Sequence, residues 1–233
     1  MGKGWKNPVK VANAQKKGAI FTKLAREIQV AAKLGGADPN MNARLRMAID
    51  HARKQQCPSD TIDRAIKKGA GLLADSEIEE LMYEGYGPHG IGVLVECQTD
   101  NRNRTAPEIR MIFKSHEGNM DGSVAWMFDR VCYLEATKTG AFDPEEEAIE
   151  VGANEVEKTE EGYCFYGELS SMDAIRKSLL ARGWTVTTAE PSYKAKNITE
   201  LNEAQLKDVY EFLEELDEHD DTHRVHATIS SAK

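Results

Sequence analysis

The glycines at positions 85, 87 and 90 are the first candidates for chemistry, because they match the G-x-G-x-x-G pattern letter for letter. In dinucleotide-binding proteins this loop leads into a helix whose N-terminus holds the pyrophosphate. Here the alternating apolar pattern of a strand, Ile91 to Cys97, follows at once, and Pro88 lies inside the loop. The residues therefore predict a glycine-rich hairpin and exclude a dinucleotide site.

Three histidines near the C-terminus are candidates for metal binding, because His-x-x-x-His spacing can place two ligands on one helical face. His219, His223 and His226 surround Asp220 and Asp221. The apolar pattern of the preceding helix has ended by this point, and His226 falls on a different phase of the next strand. We therefore predict a solvated acidic turn rather than a metal site.

No set of residues in the sequence has the pattern of a catalytic site. His89 and His116 have no cysteine, serine or aspartate nearby in a recognisable nucleophile context. His51 lies on an arginine-rich helix, where phosphate contact is an open alternative. The sequence therefore predicts a protein that is not an enzyme and that has no cofactor, no metal and no small-molecule substrate.

The polar segment Asp100–Thr105 carries two arginines, Arg102 and Arg104, beside a predicted helix N-terminus. Such a position suits an anion or a phosphate group. The same residues also suit a structural turn, in which the asparagines bond to the backbone and the arginines pair with acidic neighbours such as Glu84 or Asp129. Both interpretations stay open at the level of sequence.

The net charge of −9 conceals a strong asymmetry along the chain. Residues 1–71 contain ten lysines and five arginines against five acidic residues, whereas the remaining 162 residues carry 15 basic and 34 acidic side chains. This distribution favours a basic module that binds phosphate, attached to an acidic body. The alternative is that the cations only solvate helix faces.

The basic segment is predicted to form three short helices behind an arm of residues 1–18. Apolar residues at helical spacing mark helices over residues 20–34, 42–56 and from Pro58 to Gly69. Short links between them indicate a small bundle with basic outer faces. The candidate nucleic-acid contacts are Lys16, Lys17, Lys23, Arg26, Arg44, Arg46, Arg53, Lys54, Lys67 and Lys68, together with Arg102 and Arg104 of the polar segment.

The residues after the linker near 72–80 predict a sheet with one packed helix. Strands are expected over 81–86, 91–99 and 123–128, and a helix over 105–116, with Thr105 as N-cap and Glu108 completing a capping box. The acidic helix over 202–216 and the alternating strand near Val225 are predicted to return to this sheet.

Residues 131–193 show the order β-α-β-β-α-β, which is typical of a split βαβ, ferredoxin-like unit. We predict an α+β protein with three domains. These are a basic helical domain over residues 1–75 with its flexible arm, a discontinuous central α/β domain over 81–130 plus 194–233, and an inserted acidic ferredoxin-like domain over 131–193.

Composition predicts a cytoplasmic protein. No run of eighteen apolar residues is present, and no apolar segment follows the basic N-terminus, so neither a membrane span nor a secretory signal is expected. The four cysteines, Cys57, Cys97, Cys132 and Cys164, are widely spread and favour buried, reduced thiols.

Three segments carry a family resemblance: Y-E-G-Y-G-P-H-G (83–90), T-D-N-R-N-R-T (99–105) and G-N-M-D-G-S-V-A-W-M-F (118–128). With the helical segments F-T-K-L (21–24) and N-A-R-L-R (42–46), they resemble the YebC/PmpR family of transcriptional regulators. The resemblance covers nearly the whole chain. It implies a cytosolic, three-domain protein that binds nucleic acid without known catalysis, with some relatives acting as DNA-binding repressors and others as translation factors at the ribosome.

The leading functional hypothesis is a non-enzymatic regulator of transcription that binds DNA through the basic helices. The first alternative is a ribosome-associated translation factor that binds ribosomal RNA. A further alternative is a protein–protein adaptor whose acidic insertion, through Glu145, Glu146, Glu147 and Glu150, docks a basic partner.

Overall fold

The computed structural model describes residues 14–73, 77–159 and 162–230, with side chains described from Gly18 onward. The chain divides into two compact units. One holds residues 126–198, called the inserted unit here, and the other holds the described residues before and after it, called the main unit. The three-domain division with boundaries at 75, 130 and 193 stays a prediction.

The described residues form a mixture of helices and antiparallel strands, consistent with the predicted α+β class. The helices are α1 (Ala14–Gly35), α2 (Ala43–Lys54), α3 (Ser59–Gly69), α4 (Arg102–Ser115), α5 (Pro144–Val151), α6 (Met172–Ala181) and α7 (Glu203–Glu218). The strands are β1 (Glu79–Tyr86), β2 (Gly92–Thr99), β3 (Phe128–Thr137), β4 (Glu155–Lys158), β5 (Tyr163–Gly167), β6 (Thr185–Ala195) and β7 (Thr222–Ala227).

The first three helices form the predicted bundle around a small apolar core. Leu24 and Ile28 of α1 pack with Leu45 of α2 and Ile62 of α3, and all four are buried. Asn42 joins the helices as well as capping one, because its side chain accepts a hydrogen bond from the Leu45 backbone N–H and donates to two carbonyls at the end of α1. The Asn42 side chain thus fixes the start of α2 relative to the end of α1.

The main unit also contains a three-stranded antiparallel sheet in the order β1–β2–β7. The prediction that the last helix and strand return to this sheet is confirmed, since β7 pairs with β2 and α7 packs on the sheet core. Phe113 of α4 meets Phe212 of α7 edge to face, with ring centroids 5.0 Å apart. The glycine-rich segment is a short turn, Pro88–Gly90, that leads into β2, so no helix follows it and the dinucleotide interpretation is excluded as predicted.

The strand predicted over residues 123–128 is wrong. The segment is a capped turn with a single 3-10 turn at Ala125–Met127, and the strand begins only at Phe128. The Glu84 carboxylate accepts hydrogen bonds from the backbone N–H groups of Val124 (2.7 Å) and Ala125 (2.8 Å) and from the Ser123 hydroxyl. Because these N–H groups are bonded to a carboxylate, they are not available for hydrogen bonds to a neighbouring strand.

The predicted start of α4 is also wrong. The helix begins at Arg102, and Asn101 is its N-cap, with its side-chain oxygen accepting a hydrogen bond from the Arg104 N–H at 3.2 Å. Thr105, predicted as the cap, is instead buried within the first turns of α4. Three residues of the polar segment, 102–104, were therefore counted as turn when they belong to the helix.

The inserted unit has the topology predicted from its element order. Its four strands pair antiparallel in the order β4–β5–β3–β6, and α5 and α6 connect β3 to β4 and β5 to β6. This is the ferredoxin-like arrangement. Trp184 lies in its core, with edge-to-face contacts to Phe142, Tyr163 and Phe165.

Glu147 of α5 anchors a charged network beside this core. Its carboxylate accepts hydrogen bonds from Arg182 Nε (3.0 Å), Lys138 Nζ (2.8 Å) and the buried Trp184 Nε1 (2.9 Å). These bonds lower the pKa of Glu147 to about 2. Glu147 is therefore committed to the inserted unit, which removes it from the acidic docking face that the sequence suggested, while Glu145, Glu146 and Glu150 are exposed.

We expect Glu147→Gln to destabilise the protein by about 1–3 kcal/mol at neutral pH, because three donors lose a charged acceptor. The folded-state pKa lies below the ordinary value of 4.5, so this stabilisation is present above pH 4.5 and fades as the pH falls toward 2. Urea unfolding at pH 7 and pH 3 measures both effects.

Glu150→Gln is the matched control, since Glu150 is 62% exposed and only reaches Arg182 at 3.5 Å. It should change the free energy of unfolding by less than about 0.5 kcal/mol. Equal losses for the two variants would contradict the role assigned to Glu147.

Candidate nucleic-acid interface

A buried carboxylate, Asp221, holds the bundle against the central sheet within the main unit. Its side chain is 1% exposed. One oxygen lies 2.8 Å from Arg26 Nη1 of α1, and the other lies 2.8 Å from Arg104 Nη2 of α4. The hydroxyls of Thr105 and Thr99 donate to the second oxygen at 2.6 and 3.1 Å. Asp221 is thus fully hydrogen-bonded and shared between two arginines.

The predicted solvated acidic turn is therefore wrong for Asp221. Burial by itself would raise the pKa of Asp221, but hydrogen bonds from Arg104 and Thr105 and the positive charge of Arg26 lower it below its ordinary value. The carboxylate stays ionised and needs both cations. Sequence spacing could not show this, since Arg26 is almost two hundred residues away from its partner.

Other cations of the bundle are also bound within the main unit. Lys23 donates to the backbone carbonyl of Asp217 at the end of α7. Arg44 of α2 pairs with Glu80 of β1 at 2.9 Å, and Lys33 of α1 lies 2.7 Å from Glu77. Ion pairs and a hydrogen bond from a charged lysine therefore hold this side of the bundle to the acidic part of the unit.

Two groups stand out among the described cations of the bundle and of α4. Lys23, Arg26, Arg44 and Arg104 bind groups of the protein itself. Arg104 pairs with Asp100, Glu108 and Asp221, not with Glu84 or Asp129. Whether any of these four also reaches nucleic acid stays a prediction.

A second group, called the outward set here, has exposed side chains on α2 and α3. Arg46 donates only to the Pro39 carbonyl, and Arg53, 71% exposed, comes no closer than 3.9 Å to a carboxylate, that of Asp50. The other members show no carboxylate partner in the described part of the chain. The outward set is Arg46, Arg53, Lys54, Arg64 and Lys67.

Arg64 was missed as a candidate, although its position gives a usable signal. Residues three and four apart lie on one helical face, so Arg64, Lys67 and Lys68 form a basic row on α3. Lys68 is half-buried, unlike the first two. Arg102 is exposed at the start of α4 and has no ion pair with a described residue, whereas the side chains of Lys16 and Lys17 lie outside the described residues.

Two of the three histidines near the C-terminus, His219 and His226, pair with carboxylates of the same unit. His219 Nε2 lies 3.1 Å from Glu108, and His226 Nε2 lies 2.6 Å from Glu96. Burial lowers the pKa of His223 well below its ordinary value of 6.5. Within residues 14–73, 77–159 and 162–230, no group of three His, Cys, Asp or Glu side chains could hold a metal ion.

The cysteines are buried free thiols, as expected. Burial raises the pKa of Cys97 and of Cys164 to about 12, so both stay protonated and unreactive at neutral pH. None of the helices described has both the length and the apolarity needed to cross a membrane.

Two family models match the chain. The TACO1/YebC protein N-terminal domain matches residues 5–72, and the TACO1/YebC second and third domain matches residues 78–229. The chain belongs to the TACO1/YebC family. The resemblance read from the central motifs is thereby confirmed.

Relatives in this family are similar over their whole length. A protein of Bdellovibrio bacteriovorus named a probable transcriptional regulatory protein is 68% identical over 98% of this chain and 100% of its own. One of Pseudomonas savastanoi pv. phaseolicola with the same description is 45% identical over 99% of this chain and 100% of its own. A conserved hypothetical protein from Aquifex aeolicus has a crystal structure that matches with a TM-score of 0.86 and 38% identity, covering 98% of this chain and 96% of that one.

This TACO1/YebC protein is therefore a regulatory protein rather than an enzyme, as the names of the family and of its relatives indicate. The prediction of a non-enzymatic regulator is confirmed at that level.

We expect Asp221→Asn to lower the free energy of unfolding by about 2–4 kcal/mol, because Arg26 and Arg104 lose the charge they share. Chemical denaturation followed by circular dichroism measures the loss. Asp220→Asn is the control, since Asp220 is exposed and contributes only its backbone carbonyl, which the substitution keeps. If the two variants were equally stable, Asp221 would not hold the bundle.

Proposed function

We propose that this protein regulates transcription by binding DNA through the outward set. The observation that supports it is the division of the bundle's cations. Four of the predicted contacts bind groups of the main unit, while Arg46, Arg53, Lys54, Arg64 and Lys67 are exposed without a close carboxylate. Exposed cations that come no closer than 3.9 Å to a described carboxylate give an acidic protein a surface suited to phosphate.

The outward cations act chiefly on affinity. Contacts of lysine and arginine with phosphate position a protein on the duplex without reading its sequence. They also release condensed counterions, so binding weakens steeply as salt rises. The relatives named as probable transcriptional regulatory proteins support DNA as the nucleic acid.

A cytoplasmic location fits the same proposal. Four buried free thiols suit a reducing compartment, where nucleic acid is also available. Nucleic acid is the partner proposed, with no role for a membrane.

We expect the double variant Arg53→Gln, Lys67→Gln to bind a promoter-length DNA duplex about tenfold more weakly at moderate salt. The slope of log affinity against log salt concentration should fall in magnitude by about 2, one unit for each lost phosphate contact. Fluorescence anisotropy over a salt series measures both quantities.

The matched control is Lys177→Gln, Lys207→Gln, which removes the same charge from exposed lysines on α6 and α7. This control should bind like the unaltered protein. A flat salt response of the unaltered protein, or equal losses in both double variants, would reject the outward set as the DNA surface.

Crosslinking in cells, followed by sequencing of the bound nucleic acid, separates DNA from ribosomal RNA as the target. Recovery of promoter DNA supports the proposal. Recovery of ribosomal RNA would replace it with the alternative of a translation factor at the ribosome.

A further inference from the structure

An open groove lies between α1 and α3, beside the loop that precedes α4. Its volume is about 360 Å³, within the range of ligand-binding pockets. The groove belongs to the main unit and lies next to the outward set, since Arg64 is part of both. The lining residues used below are Phe21, Arg26, Gln29, Arg64, Lys68 and Asp100.

Gln29 has a side chain whose polar groups are not satisfied by the protein. The residue is 8% exposed, and its amide makes no hydrogen bond with any described residue. Its polar atoms are not sealed from solvent, since none of them is among the buried side-chain atoms of the described residues that lack a hydrogen bond. The amide is therefore accessible from the groove and is not occupied by a bond to a described residue. The amide lines the groove, where it offers one acceptor and two donor hydrogens.

The position of Gln29 is fixed by close packing of the two helices. A Cβ atom at Gly69, the last residue of α3, would lie 2.2 Å from the Gln29 carbonyl oxygen and 2.8 Å from Ala32. Only glycine permits this approach. The backbone that carries the Gln29 side chain is therefore held at a close helix crossing, which suits a residue that recognises a ligand.

The groove also offers a cation and an aromatic ring. Arg64 is exposed and has no ion pair with a described residue, so it is available for phosphate. Phe21 is half-buried and presents a surface on which a base can stack. The charge of Arg26 is already balanced by Asp221, and Asp100 accepts a hydrogen bond from Arg104. Of the two arginines in the groove, Arg64 is therefore the one left for phosphate.

We propose that this groove binds one unstacked nucleotide of a single-stranded segment, in an inference that rests on the proposed nucleic-acid binding. Arg64 contacts the phosphate, Phe21 stacks on the base, and the Gln29 amide bonds to the base edge. Glutamine pairs with the adjacent donor and acceptor of adenine in this way. The groove thus adds recognition of an exposed base to the phosphate contacts of the outward set.

The test compares the unaltered protein with Gln29→Met, which keeps the length of the side chain and removes the amide. The probe is a labelled deoxyadenosine single strand of about twelve nucleotides. We expect Gln29→Met to bind this strand about five- to tenfold more weakly with an unchanged salt slope. Its affinity for the duplex should stay unchanged, and its thermal unfolding should match that of the unaltered protein.

Phe21→Leu is a second variant, which removes the stacking surface and keeps an apolar side chain against the bundle core. It should weaken single-strand binding and spare duplex binding in the same way. If both variants bound the single strand as tightly as the unaltered protein, and all three still bound the duplex, the groove proposal would be rejected and the proposed function would stand. If the unaltered protein bound neither the single strand nor the duplex, the proposed function itself would be rejected.

Adenosine monophosphate distinguishes a nucleotide within a strand from a free one. We expect it to compete with the labelled strand only at concentrations far above those of an unlabelled strand. Equal competition by the free nucleotide would overturn the assignment to single-stranded nucleic acid.

Discussion

The ionised, buried carboxylate of Asp221 is the constraint on which the main unit depends. A carboxylate that is 1% exposed must be paired, and it is paired by arginines from two different elements, α1 and α4. The hydroxyls of Thr99 and Thr105 complete its hydrogen bonds. Because Arg26 comes from the bundle and Arg104 from α4, this interaction is the buried link among the contacts that hold the basic helices on the acidic part of the unit.

The same constraint determines which cations remain for a partner. Ion pairs with Asp221 and Glu80 and a hydrogen bond to the Asp217 carbonyl engage the cations on the face of the bundle that meets the sheet. The cations of the outward set come no closer than 3.9 Å to a carboxylate of the described residues. A chain with net charge −9 can therefore still present a positive surface, because its opposite charges are separated by structure and not only along the sequence.

Local patterns in the sequence predicted most of the architecture. Apolar spacing marked the helices of the bundle, and the element order of residues 131–193 predicted the ferredoxin-like sheet. The errors came where a distant side chain overrides local preference. Glu84 captures the N–H groups at Val124 and Ala125, and so a strand pattern becomes a capped turn. No local window contains both partners of such a contact.

The same limit of local sequence patterns applies to the cations of the candidate interface. Composition located the basic segment, but it could not tell which of its arginines are paired. Arg44 binds Glu80, whereas Arg46, two residues further along the chain, binds no described carboxylate. Helical geometry sends them in different directions, and only the position of β1 decides which one is neutralised. The sequence did not indicate Gln29 for a related reason. A glutamine on an apolar helix becomes a candidate for ligand binding only when α3 packs beside it and the groove between the two helices forms.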